Sequence, residues 1–172
     1  MVKFVRFLLV LLLGAALAFV IGMRTKSPIV LGLVRRMNKA VMNPMQMKTA
    51  GTPGAYASVI RHQGRSSGRT YETPIVAVPT EDGVVIALPY GDQADWVKNV
   101  LATGTATIVH EDETFEVVDP QLVAMSEVEA HFPDSDQRAH RAFAVTQALR
   151  GGRRAPTDAA VGEGSDGLGR PR

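Results

Sequence analysis

Hydrophobic positions change period several times along this chain, and each change predicts an element. From Phe7 to Met23 the run is uncharged and almost wholly apolar, with Lys3 and Arg6 before it and Arg24 and Lys26 after it. At about 1.5 Å per residue it makes a helix of roughly 26 Å, slightly short of a hydrocarbon core about 30 Å thick. Snorkelling of Arg6 and Arg24 and slight bilayer thinning close the difference. From Pro28 to Val41, Ile29, Leu33, Met37 and Val41 recur at helical spacing with Arg35, Arg36 and Lys39 between them. That pattern predicts a basic amphipathic helix, suited either to an anionic membrane surface or to packing on a folded domain. Asn43 to Gly54 reads as a connector rich in proline and glycine.

Residues 51–150 carry mostly strand patterning. Ala55 to His62 alternates loosely, while Ile75 to Val78 and Val84 to Leu88 are continuously apolar on either side of Glu81-Asp82-Gly83. Asp-Gly between apolar runs predicts a hairpin. Asp92 is placed to cap a helix from Ala94 to Ala102, with Val97, Val100 and Leu101 inward and Gly104 ending it. Thr105 to Val109 and Phe115 to Val118 flank the acidic turn Glu111-Asp112-Glu113 as a second hairpin. Val123, Met125 and Val128 suggest a helical stretch, and Ala142, Val145 and Leu149 another after Pro133. Gly151 to Arg172 holds six glycines and two prolines, the composition of a disordered tail. Short antiparallel hairpins with a few helices favour a small barrel over a doubly wound sheet, so the expected class is mainly β with α+β character. The expected division is an anchor over 1–26, a basic helix and linker over 27–50, a barrel domain over 51–150 and a tail over 151–172.

Composition narrows the chemistry. The 172 residues include no cysteine, which excludes disulfide scaffolds, thiolate zinc fingers and cysteine nucleophiles. Nineteen Lys plus Arg against seventeen Asp plus Glu is too balanced for a nucleic-acid coat. The distribution is uneven, however. Residues 24–72 carry nine basic side chains and the single acid Glu72, whereas 73–136 carry thirteen acids and only Lys98. One end of the folded unit should attract anions. More Lys and Arg follow the apolar run than precede it, and by the positive-inside tendency the body of a retained anchor faces the cytoplasm. A cleaved secretory signal with a site at Ala16-Leu17-Ala18 is the rival reading, although the apolar run continues past that site.

The chemical signal is Gly64-Arg65-Ser66-Ser67-Gly68-Arg69, between two predicted strands. The glycines allow a tight turn with exposed N–H groups, the serines donate and the arginines add charge, together a nest for phosphate or carboxylate. An exposed polar hairpin loop is the plain alternative. It matches neither a nucleotide P-loop nor a dinucleotide fingerprint. His62, His110, His131 and His140 show no metal spacing. Ser66 or Ser67 with His62 lacks the nucleophile elbow of a hydrolase.

Three blocks in order, His62 to Pro74, Val85 to Gly91 and Asp95 to Val100, resemble the deazaflavin-dependent nitroreductase family, split β-barrel oxidoreductases of the flavin-reductase-like type that use coenzyme F-420. The resemblance runs from about Asn43 to Asp119 and implies that fold here. It places the phosphate-gripping loop on Arg65, Ser66 and Ser67 with Arg69 and Tyr71 nearby. It also puts ring contacts on Thr73 and Pro74, and further cofactor contacts on Leu88, Tyr90, Trp96 and Asn99. Several relatives carry lysine where Ser66 and Tyr90 stand, and Arg61 and Arg69 are the sequence's candidates to compensate. The implied reaction is hydride transfer from reduced coenzyme F-420 to an electron-poor acceptor, a nitroaromatic or, given the apolar anchor, a quinone. Tyr71 or Tyr90 would supply a proton, with Tyr56 farther from the motif. Neighbouring barrel families bind flavin mononucleotide, tetrapyrroles or lipids, so a non-catalytic carrier is the second class. Family barrels are often homodimers.

Overall fold

The computed structural model describes residues 2–154. Its helices are α1 (Val2–Arg24), α2 (Pro28–Met37), α3 (Asn43–Gln46), α4 (Asp95–Thr103), α5 (Met125–Val128) and α6 (Asp134–Ala142). Its strands are β1 (Ser58–Gln63), β2 (Thr70–Ile75), β3 (Ala77–Pro79), β4 (Gly83–Ala87), β5 (Thr105–His110), β6 (Glu113–Ala124) and β7 (Gln147–Arg154). A π-helical stretch, Asn38–Met42, joins α2 to α3, so Pro28 to Gln46 is one continuous helical arm. Pro44 lacks the N–H that a regular ladder would need, which accounts for the widened turn before it.

The strands form one sheet in the order β2-β1-β5-β6-β7-β4-β3, and every ladder is antiparallel. Its two edges, β2 and β3, are consecutive in the chain with Val76 alone between them. Two Cα steps span at most about 7.6 Å, so the sheet must curl until its edges meet there. The edges share no ladder, and the seam stays open. This is a split β-barrel of the flavin-reductase-like type, as expected.

Local chemistry explains the strands. β4 is apolar without alternation because both its faces are covered. Val84 and Ile86 enter the barrel core with Ile60, Ile108, Phe115 and Leu149. Val85 joins an outer cluster with Met125, Val128, Phe132 and Ala148. Glu111 and Asp112 both take left-handed φ (50° and 63°), forming the two-residue turn between His110 and Glu113. In α4, Val97 and Val100 are fully buried, about 1.5–3 kcal/mol each, and Gly104 closes the helix in the left-handed region.

Several expectations are corrected. The α4 N-cap is Ala94, without a side-chain cap, while Asp92 instead accepts from Gln93. The apolar run Ile75 to Val78 is broken at Val76 into two strands. The helix expected around Val123 is the end of β6 and a single turn, α5. β6 gains its length by passing Pro120 at a register shift between Val118 and Gln121. Leu149 lies in β7, not in a helix, and β7 carries the barrel to Arg154, beyond the expected boundary at 150. The connector begins later than expected, because Asn43 to Gln46 is helical. The expected tail from residue 155 onward lies outside the described residues.

Candidate functional site

The seam of the barrel opens into a cleft of about 1050 Å³. Several structural units wall it. The β1–β2 loop contributes Gly64 to Ser67, and β2 follows with Tyr71 to Ile75. Val76 lines the cleft at the seam, and Ile86 to Gly91 follow at and beyond the end of β4. On the far side, α4 presents Asp95, Trp96 and Asn99, and the helical arm lies across the opening with Arg35, Asn38, Lys39 and Met42. Trp96 and Asn99 share a face of α4 apart from Val97 and Val100, which the spacing predicts.

The loop geometry follows from its glycines. Gly64 N–H donates to Arg69 O at 2.8 Å and Gly68 N–H to Gly64 O at 2.8 Å, with Gly68 at φ +64°. A Cβ at Gly64 would stand 2.5 Å from Ser67 Oγ and 2.7 Å from Tyr71 Cε2, so a side chain there would displace the Ser67–Tyr71 pair. Ser67 Oγ and Tyr71 Oη lie 3.1 Å apart and share a hydrogen bond, and Arg69 N–H donates to Ser67 Oγ.

Behind the loop runs a buried polar chain. Asn99 Oδ1 accepts from Arg65 Nη1 (2.7 Å) and from Arg65 N–H (3.2 Å). That fixes the amide orientation and turns Asn99 Nδ2 toward His62 Nδ1 at 3.3 Å. His62 Nδ1 must then be the acceptor, and Nε2–H points to Thr73 Oγ1 at 3.4 Å. The imidazole is therefore neutral. Burial pushes its pKa below the ordinary 6.5, against a smaller opposing effect of the Gln63 backbone, which accepts from the ring. Its ring stacks on Tyr71 at 5.9 Å between centroids.

Of the residues expected at the site, Arg65, Ser66, Ser67, Tyr71, Thr73, Pro74, Leu88, Tyr90, Trp96 and Asn99 all line this one cleft. Arg69 does not. Arg61 pairs with Glu72 at 2.6 Å on the opposite side of β1 from buried His62, so neither expected compensating arginine reaches the cleft. Arg35 and Lys39 do reach it, and neither forms an ion pair among the described residues. Arg65 itself is partly engaged, with Nη2 3.4 Å from Asp95 Oδ1. Tyr56 also lines the cleft, its hydroxyl pKa pushed up by burial and then by Asp136. His140 is a further wall residue, with Nδ1 buried and unpartnered and the ring edge-on to Phe132. Sequence reasoning missed Arg35, Lys39, Tyr56 and the His62 relay, because only tertiary contact brings them to the loop.

Tyr90 is held from the arm. Asn38 Nδ2 donates to Tyr90 Oη at 2.9 Å, and the ring packs against the cluster of Met23, Leu31 and Val34.

No family model and no curated protein matches the chain. Among solved structures it is similar to the heme storage protein HutZ from Vibrio cholerae, at 14% identity over 58% of this chain and 82% of that one, TM-score 0.47. It is similar to a domain-swapped dimer, at 13% identity over 70% and 97%, TM-score 0.41. A third is the F420-H2 dependent reductase FDR-A, at 15% identity over 56% and 93%, TM-score 0.38.

Proposed function

We propose that this chain is a deazaflavin-dependent oxidoreductase, held at a membrane with its barrel on the cytoplasmic side. It would transfer a hydride from reduced coenzyme F-420 to an electron-poor acceptor such as a quinone or a nitroaromatic compound. The observation that supports it most is the convergence of the polar loop, the Thr73-Pro74 segment, Leu88, Tyr90 and Trp96 on one cleft. The resemblance of the same residues to the deazaflavin-dependent family supports it as well.

The residues present fit such a cofactor. The cleft lining offers the hydroxyls of Ser66 and Ser67, N–H groups of Arg65 and the charges of Arg35 and Lys39, suited to an anionic tail. The same lining presents Pro74, Leu88 and Trp96, apolar surface suited to a planar ring. When bound, the deazaflavin supplies the two-electron hydride chemistry. The chain supplies position: binding at the loop spends its energy on orienting the distant reactive end. The helical arm across the opening limits water. Tyr90 Oη accepts from Asn38, which leaves its own hydrogen free for an acceptor in the cleft, and Tyr71 is tied to Ser67 at the loop end.

Titration of the full chain in detergent with the deazaflavin, flavin mononucleotide and haem tests the binding. Oxidation of the reduced deazaflavin by a menaquinone or a nitroaromatic tests the reaction. Arg65→Ala should weaken the tight ligand by about 1–3 kcal/mol. Absence of both deazaflavin binding and turnover removes the reading. Binding without turnover across a broad acceptor panel would instead mark a carrier of a flavin, tetrapyrrole or lipid.

A further inference from the structure

Ile29, Leu33, Met37, Val41 and Met45 stand four residues apart along the helical arm, and all are exposed, at 84%, 67%, 50%, 49% and 59%. The first four form the apolar face that the spacing predicts for a basic amphipathic helix. The arm nevertheless packs on the barrel through its other side, where Leu31 and Val34 bury against Met23, with Tyr90 and Phe143 alongside. A helix apolar on two faces has one face still to be covered.

What covers it is indicated by the element next to it. α1 has a mean hydropathy of 2.7 over its most apolar window and none of that window is buried. Residues 2–19 are exposed throughout, so α2 does not fold back along α1. It leaves at a fixed elbow. Lys26 takes a left-handed φ of 53°, Ser27 N–H donates to Gly22 O at 2.8 Å, and Val30 packs where Gly22 has no Cβ. Arg24 Nη1 donates to the carbonyls of Arg141 and Ala142, at 3.0 and 2.9 Å, and Lys26 Nζ to those of Pro89 and Phe143. The arm thus starts where the apolar span ends, at headgroup level if α1 spans a bilayer. Arg36 and Lys39 are exposed on the arm, and no acid occurs between residues 24 and 71.

We infer that the arm Pro28–Gln46 lies in the interface of an anionic bilayer, its outer stripe in lipid and its inner side roofing the cleft. Such seating combines buried apolar area with attraction between basic side chains and anionic headgroups. The inference rests on the anchor reading of α1 but not on the identity of the cofactor.

The chain has no cysteine, so single-cysteine variants of the full protein can be spin-labelled cleanly. Leu11→Cys reports on the span, Leu33→Cys and Met37→Cys on the stripe, and Glu81→Cys on the barrel. In phosphatidylcholine–phosphatidylglycerol vesicles, labels at 33 and 37 should collide more with oxygen than with a water-soluble nickel chelate, as at 11 and opposite to 81. Adding Arg36→Glu and Lys39→Glu should reduce that preference at 33 and leave 11 unchanged. Nickel access at 33 and 37 equal to that at 81, with 11 still in lipid, would overturn the inference alone. Spin–spin broadening at 33 that vanishes on dilution with unlabelled chain would also overturn it, because a second copy would then cover the stripe. Nickel access at 11 would remove the anchor reading, and the inference with it.

Discussion

Replacing Asn99 by Asp tests the polar chain behind the loop with a change of one atom. In the native arrangement the Asn99 amide donates to His62 Nδ1 at 3.3 Å, and this bond exists only while Nδ1 is unprotonated. Burial holds the imidazole below 6.5 and works in the same direction. A carboxylate at position 99 presents an acceptor where a donor stood, so Nδ1 must acquire a proton or face repulsion. At 3.3 Å and an effective dielectric constant near 20, the attraction between imidazolium and carboxylate is about 5 kcal/mol. One pKa unit corresponds to about 1.4 kcal/mol. Arg65, 2.7 Å from Asn99 Oδ1, competes for the same carboxylate and takes part of that energy. Even a third of the total would raise the His62 pKa by about one unit relative to the wild type. The assay is a titration of the imidazole ¹⁵N and ¹³C resonances in both proteins. Wild-type His62 should show the Nε2–H tautomer and titrate below the free imidazole, and the Asn99→Asp protein should titrate above the wild type. Unchanged titration, or an Nδ1–H tautomer in the wild type, would refute the amide orientation and the relay built on it.

Three further outcomes follow from the same geometry. Gly64→Ala should disorder the loop through the clash with Ser67 and Tyr71 and weaken deazaflavin binding at least about tenfold, read by equilibrium titration, with the melting temperature little changed. Arg35→Gln and Lys39→Gln should each cost roughly fivefold in affinity for an anionic ligand, about 1 kcal/mol for a partly solvated charge, and the loss should shrink at high salt; Arg69→Gln should cost much less. His62 binds its proton more weakly folded than unfolded, so its contribution to stability is present above pH 6.5 and lost as pH falls through the depressed native value. Denaturant melts between pH 7.5 and 5 should show a decline that His62→Gln reduces, and an identical decline in both proteins would count against the relay.

The parts of the fold that could be read from sequence are those whose signals are local. Asp82-Gly83 and Glu111-Asp112 mark hairpins because turn chemistry acts over two residues, and Gly104 marks the end of α4 for the same reason. β7 is hidden in the sequence because Gly151 and Gly152 resemble a tail, yet the interior needs Gly151. A Cβ on Gly151 would collide with Val117, and one on Gly83 with the Gly151 carbonyl. Glycine there records close strand approach, a reason that appears only once β4, β6 and β7 are side by side. On the arm the periodic residues Ile29, Leu33, Met37 and Val41 are exposed and the less regular Leu31 and Val34 are buried, a choice of face that spacing alone leaves open. Among the site residues, resemblance located the loop and Asn99, whereas nothing local distinguishes Arg35 or His62 from any surface arginine or core histidine.

The charge asymmetry gains a different meaning from the architecture. Several of the basic residues in 24–72 are put to distinct uses. Arg24 and Lys26 are spent on the carbonyls of Pro89, Arg141, Ala142 and Phe143, and burial lowers the Lys26 pKa. Arg61 is neutralised by Glu72. Arg35 and Lys39 line the cleft, while Arg36 stands exposed on the arm. One helical element therefore carries both positive charge for the cleft and the apolar stripe beside the anchor. Asn38, from the same element, holds the Tyr90 hydroxyl. Displacing the arm would remove at once the roof, two cations and the partner that orients Tyr90. Any condition that moves the arm should thus change ligand affinity and the Tyr90 environment together, whereas a change confined to the β1–β2 loop should alter affinity alone.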